Sequence, residues 1–306
     1  MLIPLPENDY TSSEVLASWL ELCALSEDDG LVLRGSVLEA LRDSQLFSDV
    51  SARRGDERDS STEGSAASRL NEVWGVLENR QALLRGAWPL VLANDTLARS
   101  PGKGSLPAVA AYTTMLLLEA ASLKWYACAR IKPGDEVRTW FEDIAKASAA
   151  RLLGGRASRF GAPFPSDWPS SFPERVRLLA ESFGLRARDE DIDTLAAPDA
   201  QDDTLDLVVR WKLGDERAGT PYLLIQCATG ANWQGEKTGE PTMELWKQYI
   251  AWNGPVYKAL AIPFVVRGGA DLERASHRHG AIILDRLRIA AGVPDEQIDD
   301  QLRNDL

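Results

Sequence analysis

The sequence predicts an α/β architecture, a mixed central sheet flanked by helices, preceded by a mainly α-helical N-terminal domain. Three observations carry that expectation. From Phe172 onward the pattern runs helix, strand, strand, helix, strand, the mixed order of a sheet with helices packed on it. The segments Asp206-Leu-Val-Val-Arg-Trp211 and Tyr222-Leu-Leu-Ile-Gln-Cys-Ala228 are short apolar runs bounded by turn residues, as buried strands are. The first half of the chain, in contrast, shows helical spacing and capping signals almost throughout.

In chain order, Thr11-Ser-Ser-Glu14 is a capping box that opens a helix running through Leu25, and Ser36-Val-Leu-Glu39 opens a second. Residues 51–67, with Arg53-Arg-Gly-Asp-Glu-Arg-Asp-Ser-Ser-Thr-Glu-Gly64, are charged, small and unpatterned, and read as an exposed loop. Helices are expected near 67–84, 106–129 and 135–153. Two short helices, a charged loop and further helices leave room for a winged-helix DNA reader. No recognition-helix pattern supports one, so a plain helical bundle is expected. Gly154-Gly155 and the Pro-rich stretch from Pro163 to Pro173 then mark a boundary, giving domains 1–155 and 156–306. Beyond it come a helix from Phe172 to Phe183 stopped by Gly184, strands over Asp206–Leu213 and Tyr222–Cys227, a helix from Thr242 to Asn253 and a strand over Tyr257–Val266. Ala281-Ile-Ile-Leu-Asp285 is a fourth strand or the start of a last helix.

Composition narrows the function classes. The 306 residues carry a formal net charge of −12, which argues against a protein that coats nucleic acid non-specifically. A local basic strip remains possible over 151–188, where Arg151, Arg156, Arg159, Arg175, Arg177, Arg186 and Arg188 outnumber the acids. The alternative is a solvated helix face. Cys23, Cys128 and Cys227 are odd in number and lack metal spacing, which fits a reducing cytoplasm. The start lacks the basic region and long apolar core of a signal peptide. The most apolar run, Leu106 to Leu123, is interrupted by Tyr112, Thr113, Thr114 and Glu119 and reads as a core helix rather than a membrane span. A cytoplasmic protein with no membrane association is expected.

The chemistry concentrates at the two central strands. Asp206 stands at the mouth of a run of Leu and Val, where an unpaired charge is costly. It reads as a metal ligand, or as a strand-start residue paired with an Arg. Gln226 interrupts an apolar run. Its amide oxygen can ligate a cation or bond a neighbouring strand end, and the Cys227 carbonyl can serve as a further oxygen ligand. Lys237 can offset charge in a transition state or lie on the surface. An acid, polar oxygens and a Lys at one sheet edge suit a metal-assisted phosphodiesterase with Mg2+ or Mn2+. Asp202 and Asp203 read as solvated turn residues. Trp233 either stacks on a base or fills space under its loop.

The order of elements, together with Asp202-Asp203-Thr204-Leu205-Asp206 and Gln226-Cys227-Ala228, resembles the core of the PD-(D/E)xK phosphodiesterase superfamily, and within it Mrr-like restriction endonucleases. The resemblance covers about residues 172–266. It implies a restriction-endonuclease-like fold, a Mg2+-dependent endonuclease acting on DNA more than RNA, and a role in bacterial defence against phage or other foreign DNA. Metal ligands would be Asp206, Gln226, Cys227 and a first-helix acid, Glu174, which also closes a capping box, Ser171-Phe-Pro-Glu174. Ala228 stands where the family has its Lys, so Lys237 would take that part, with Lys247 next. A protein partner or a homo-oligomer is expected to bring substrate to so acidic a chain. The other class this departure admits is a non-catalytic nucleic-acid-binding or scaffolding subunit.

Two further patterns are set aside. Gly230-Ala-Asn-Trp-Gln-Gly-Glu-Lys-Thr238 has one residue too many for a phosphate loop, and the extra Glu236 puts a negative charge at the anion. Cys227 with His277 and His279 suggests a thiol hydrolase, but no strand-to-helix nucleophile elbow is present, and Ser276-His-Arg-His-Gly280 reads as a surface turn.

Overall fold

A computed structural model describes residues 12–43, 60–101, 107–123, 135–162, 164, 168–196, 202–215, 217–236 and 240–293. The chain divides into two compact units, Met1–Lys132 and Pro133–Leu306. The division lies ahead of the helix over 135–152, rather than at the Gly154-Gly155 expected from composition.

The first unit is mainly helical. It comprises α1 (Ser13–Ser26), β1 (Leu31–Leu33), α2 (Arg34–Asp43), α3 (Ser60–Leu84), β2 (Leu90–Ala93), β3 (Thr96–Arg99) and α4 (Pro107–Ser122). Ser12 caps α1, its hydroxyl accepting from the Val15 N–H at 3.2 Å, so the cap falls one residue later than the expected capping box. The helix over 60–84 takes in part of the expected loop; residues 51–59 lie outside the described residues. A plain bundle is not what forms. The three strands make an antiparallel sheet in the order β1-β3-β2, with Asn94 in the left-handed region (φ +48°) at the β2–β3 turn. Runs of three and four residues are too short for periodicity to reveal.

Within this unit lies an ionic network whose core, Glu21 and Arg80, is fully buried. Glu21 accepts from Arg80 Nη1, Trp88 Nε1 and the Tyr112 hydroxyl, each at 2.9 Å, while Arg80 Nη2 reaches Glu14 at 2.9 Å. Helix α4 is buried along most of its length, as the core-helix reading expects. Among the described residues no helix is long and apolar enough to cross a membrane.

The second unit holds α5 (Asp135–Leu152), β4 (Arg156–Arg159), α6 (Phe172–Ser182), β5 (Arg186–Ala187), α7 (Asp189–Leu195), β6 (Leu207–Arg210), β7 (Tyr222–Cys227), α8 (Trp233–Glu236), α9 (Met243–Tyr249), β8 (Ile250–Ala251), β9 (Val256–Ala261), α10 (Ala270–His279), β10 (Ile282–Leu284) and α11 (Arg286–Gly292). Five strands form a mixed sheet in the order β10-β9-β7-β6-β4. The β4-β6-β7 half is antiparallel and the β7-β9-β10 half is parallel. The segment Ala281–Asp285 resolves into both options, a strand followed by a helix that Asp285 caps.

Alternation along the strands sorts the two faces. Phe160, Val208, Leu224 and Tyr222 pack with Phe172, Val176 and Leu179 of α6 and with Trp246 and Tyr249 of α9. Here Phe160 and Trp246 meet edge to face at 5.2 Å. The other face meets α5, whose Phe141, Ile144, Ala145 and Ala149 are buried. Helix α11 crosses α5 closely at Gly292. A Cβ there would lie 2.3 Å from Ser148 Oγ, and that hydroxyl donates to the Ile289 carbonyl at 2.8 Å. Helix α5 is thereby pinned against the sheet edge where the acids gather.

Candidate functional site

Asp206 is the hub of an acidic cluster at the entry of β6 and the exit of β7. Its N–H donates to the Ile225 carbonyl at 3.1 Å, and its own carbonyl accepts from Phe160 (2.7 Å) and Gly161 (3.1 Å). Its Oδ2 accepts from the Cys227 N–H at 2.5 Å, so a side chain stands in for a ladder carbonyl at the end of β7. The carboxylate is buried. Gly161 makes this possible: a Cβ there would lie 2.6 Å from Asp206 Oδ1 and 3.2 Å from Asp206 Cα.

The turn leading into Asp206 is built rather than solvated. Asp202 Oδ1 accepts from the Thr204 N–H at 2.9 Å, and Asp203 and Thr204 both lie in the left-handed region (φ +44° and +62°). A β-branched residue there is strained and needs external support. Helix α9 supplies it: the Tyr249 hydroxyl donates to Asp203 Oδ2 at 2.7 Å, and Trp246 Nε1 donates to the Asp203 carbonyl at 3.3 Å. Asp202 and Asp203 are half-buried, which corrects their reading as solvated residues.

The second acid is one that sequence reasoning missed. Glu142 of α5 is 8% exposed, and its Oε2 has no hydrogen-bond partner. Burial, then the nearby Asp206 carboxylate, lifts its carboxyl from the usual 4.5 to about 8; Arg159 opposes this and Asp143 and Asp202 add to it. Arg159, the last residue of β4, places Nε 3.9 Å from Glu142 Oε2 and Nη1 3.6 Å from Asp143 Oδ2. The Cys227 thiol belongs to the same cluster. Burial, followed by Asp206, Glu142 and Asp143, pushes it well above the ordinary thiol range. A neutral, buried thiol is a poor nucleophile. His277 is exposed, 3.7 Å from Glu273, and the buried His279 stacks on Trp233 with ring centroids 5.6 Å apart. Nothing in that arrangement favours a thiol hydrolase, and Trp233 takes the packing role. Ser276–His279 is the last turn of α10, not a surface turn.

Of the residues expected at the site, Asp206 and Cys227 come together there. Gln226 is buried with Oε1 unpartnered, and alternation turns it to the α6/α9 face with Leu224. Glu174 is exposed in the first turn of α6, on the α9 side of the sheet. Ser171 starts that helix without a side-chain cap bond, so the expected capping box does not close, although Pro173 does occupy the first turn. Lys237 lies outside the described residues; Lys247 is exposed on α9. The basic strip is split: Arg151, Arg156, Arg186 and Arg188 are exposed, while others turn to partners within the unit. Arg175 is buried 3.6 Å from the Phe164 ring centroid, and Arg177 pairs with Asp189 (2.7 Å) and Asp193 (2.9 Å).

The donors fit a hard divalent cation in kind, since they are carboxylates and one presents an orphaned buried oxygen. In number they fall short: among the described residues no group of three or more His, Cys, Asp or Glu is gathered closely enough to hold a metal ion. Mg2+ commonly completes its shell with water and substrate oxygens, so two carboxylates are compatible with it. Compared with known proteins, the chain matches no family model, no curated protein and no solved structure.

Proposed function

We propose that residues 133–306 form a divalent-cation-dependent phosphodiesterase that hydrolyses nucleic acid, with Asp206 and Glu142 as the cation-binding acids. The observation that carries this reading is Glu142 itself, a buried carboxyl beside a second buried carboxylate and pushed up to about 8. Such a pair is unstable as two anions, and a cation between them would relieve both burial and repulsion. Mg2+ or Mn2+ there would activate water for attack on phosphorus. The chain's residues would hold that cation, exclude bulk water through the α5–sheet packing and fix Asp206 through the Cys227 amide.

The sheet order, with an antiparallel meander followed by a parallel strand, also supports kinship with PD-(D/E)xK enzymes. In that reading the first-helix acid is Glu142 rather than Glu174. DNA is the substrate we favour, and bacterial defence against foreign DNA the role, both on the strength of the resemblance alone. An acidic chain of this kind needs a partner or further copies to hold nucleic acid.

Cleavage of plasmid and linear DNA with Mg2+, Mn2+ or EDTA tests the proposal, using wild type, Asp206→Ala and Glu142→Gln. Metal-dependent cutting should fall on the order of 10²-fold or more in both variants. Cutting that survives both substitutions overturns it. A second reading has its own observation: Ala228 is buried where the resemblance expects Lys. Wild type that binds partners but never cuts would identify a non-catalytic binding or scaffolding subunit.

A further inference from the structure

We infer that Arg159 is the side chain that takes the substrate phosphate at the Asp206–Glu142 site. The inference rests on the phosphodiesterase reading and deepens it. Arg159 ends β4 opposite Leu207, the residue after Asp206, so the ladder itself fixes its place beside the hub. Strand alternation turns it to the α5 face, where it stands 3.9 Å from Glu142 and 3.6 Å from Asp143. Its side chain is only 13% exposed, which weakens screening by water around the guanidinium.

The charge balance gives this arginine its task. Glu142, Asp143, Asp202 and Asp206 all act on this one spot, and Arg159 is the cation that opposes them at Glu142. A phosphodiester brings a further negative charge, and more develops on its oxygens in the transition state. One cation shared between two carboxylates cannot neutralise all of it. A planar guanidinium presents a fork of N–H donors matched to two phosphate oxygens, and an ammonium does not. When a cation takes the carboxylates, a phosphate oxygen would replace one of them as a partner of the guanidinium. The bland alternative is that Arg159 only holds Glu142 and Asp143 in position.

The two roles predict opposite effects on cation binding. If Arg159 merely positions the acids, Arg159→Gln should weaken Mn2+ binding, cleavage and thermal stability together. If it engages phosphate, removing its charge beside the acids should leave Mn2+ affinity unchanged or tighter, while cleavage falls on the order of 10²-fold. Arg159→Lys should then recover part of the rate, through charge without the fork.

The experiment measures Mn2+ affinity by titration calorimetry, melting temperature and single-turnover DNA cleavage on the full chain, for wild type, Arg159→Gln and Arg159→Lys. Lost cleavage with retained or tightened Mn2+ binding supports the assignment. Cleavage by Arg159→Gln at the wild-type rate overturns it and leaves the nuclease reading standing. Parallel loss of Mn2+ affinity and cleavage also overturns it, in favour of the positioning role. Wild type that cuts neither DNA nor RNA sinks the nuclease reading, and this assignment with it.

Discussion

Glu21 in the first unit and Glu142 in the second are both buried glutamates on helices, yet they live under opposite rules. Glu21 is met by an arginine, an indole N–H and a phenol, each within hydrogen-bond distance. Burial alone would pull Arg80 down, but Glu21, Tyr112 and Glu14 outweigh it and hold the guanidinium charged. Glu142 is met mainly by other acids, and its Oε2, 3.9 Å from an arginine, has no hydrogen bond. A satisfied buried carboxylate specifies a core; an unsatisfied one lowers stability and persists where something else is gained. That difference separates a structural acid from a candidate functional one more clearly than any motif in the chain.

The comparison breaks most visibly at Arg80. Arg80→Met strands Glu21 and should cost the first unit about 3–5 kcal/mol, because a buried charge loses its partner. Urea unfolding followed by Trp fluorescence checks it; a change below roughly 1 kcal/mol, the noise of such extrapolations, would mean the network is not what holds that core. At the other acid, Gly161→Ala pushes a methyl into Asp206 Oδ1, and overpacking of this kind costs about 1–3 kcal/mol. Any DNA cleavage should fall with it, since the carboxylate must move. Wild-type stability together with wild-type cleavage would show that Gly161 does not set Asp206.

A third test sharpens the contrast through pH. Glu142 binds its proton more tightly folded (about 8) than at its ordinary 4.5. Its contribution is therefore fully present below about pH 4.5 and is lost as pH rises toward 8. In EDTA the stability of the second unit should decline across that window, with a slope of at most about 1.4 kcal/mol per pH unit from one proton. Glu142→Gln should remove the slope, and Mn2+ should suppress it in wild type. A slope that persists in the variant assigns it to another group.

Much of the second unit was legible in the chain. The bounds of β7, Tyr222–Cys227, are readable because a run of large apolar residues between Pro221 and Ala228 has few other ways to be buried. Asp206 stood out because an acid at the mouth of such a strand must find a partner. Glu142 was hidden by its neighbours: Phe141-Glu-Asp-Ile144 resembles the edge of a solvated helix face. Its signal was the spacing to Ala145 and Ala149, which places it at the margin of the buried stripe. Glu174 stands where the resemblance puts the first-helix acid, but its helix packs on the face of the sheet opposite α5. In the first unit, Asn94-Asp95 between apolar runs was a legible hairpin turn, but the strands were too short to announce themselves.

The amide of Cys227 has a carboxylate for its acceptor at the end of a strand whose residues Tyr222–Ile225 are paired on both sides by backbone. Deuterium uptake along β7 should consequently split in two. Most of the strand would report opening of the whole sheet, and this one amide would report whether the Asp206 side chain is in place. A single proton thus serves as a clock for the site, readable without substrate and without knowing what the substrate is.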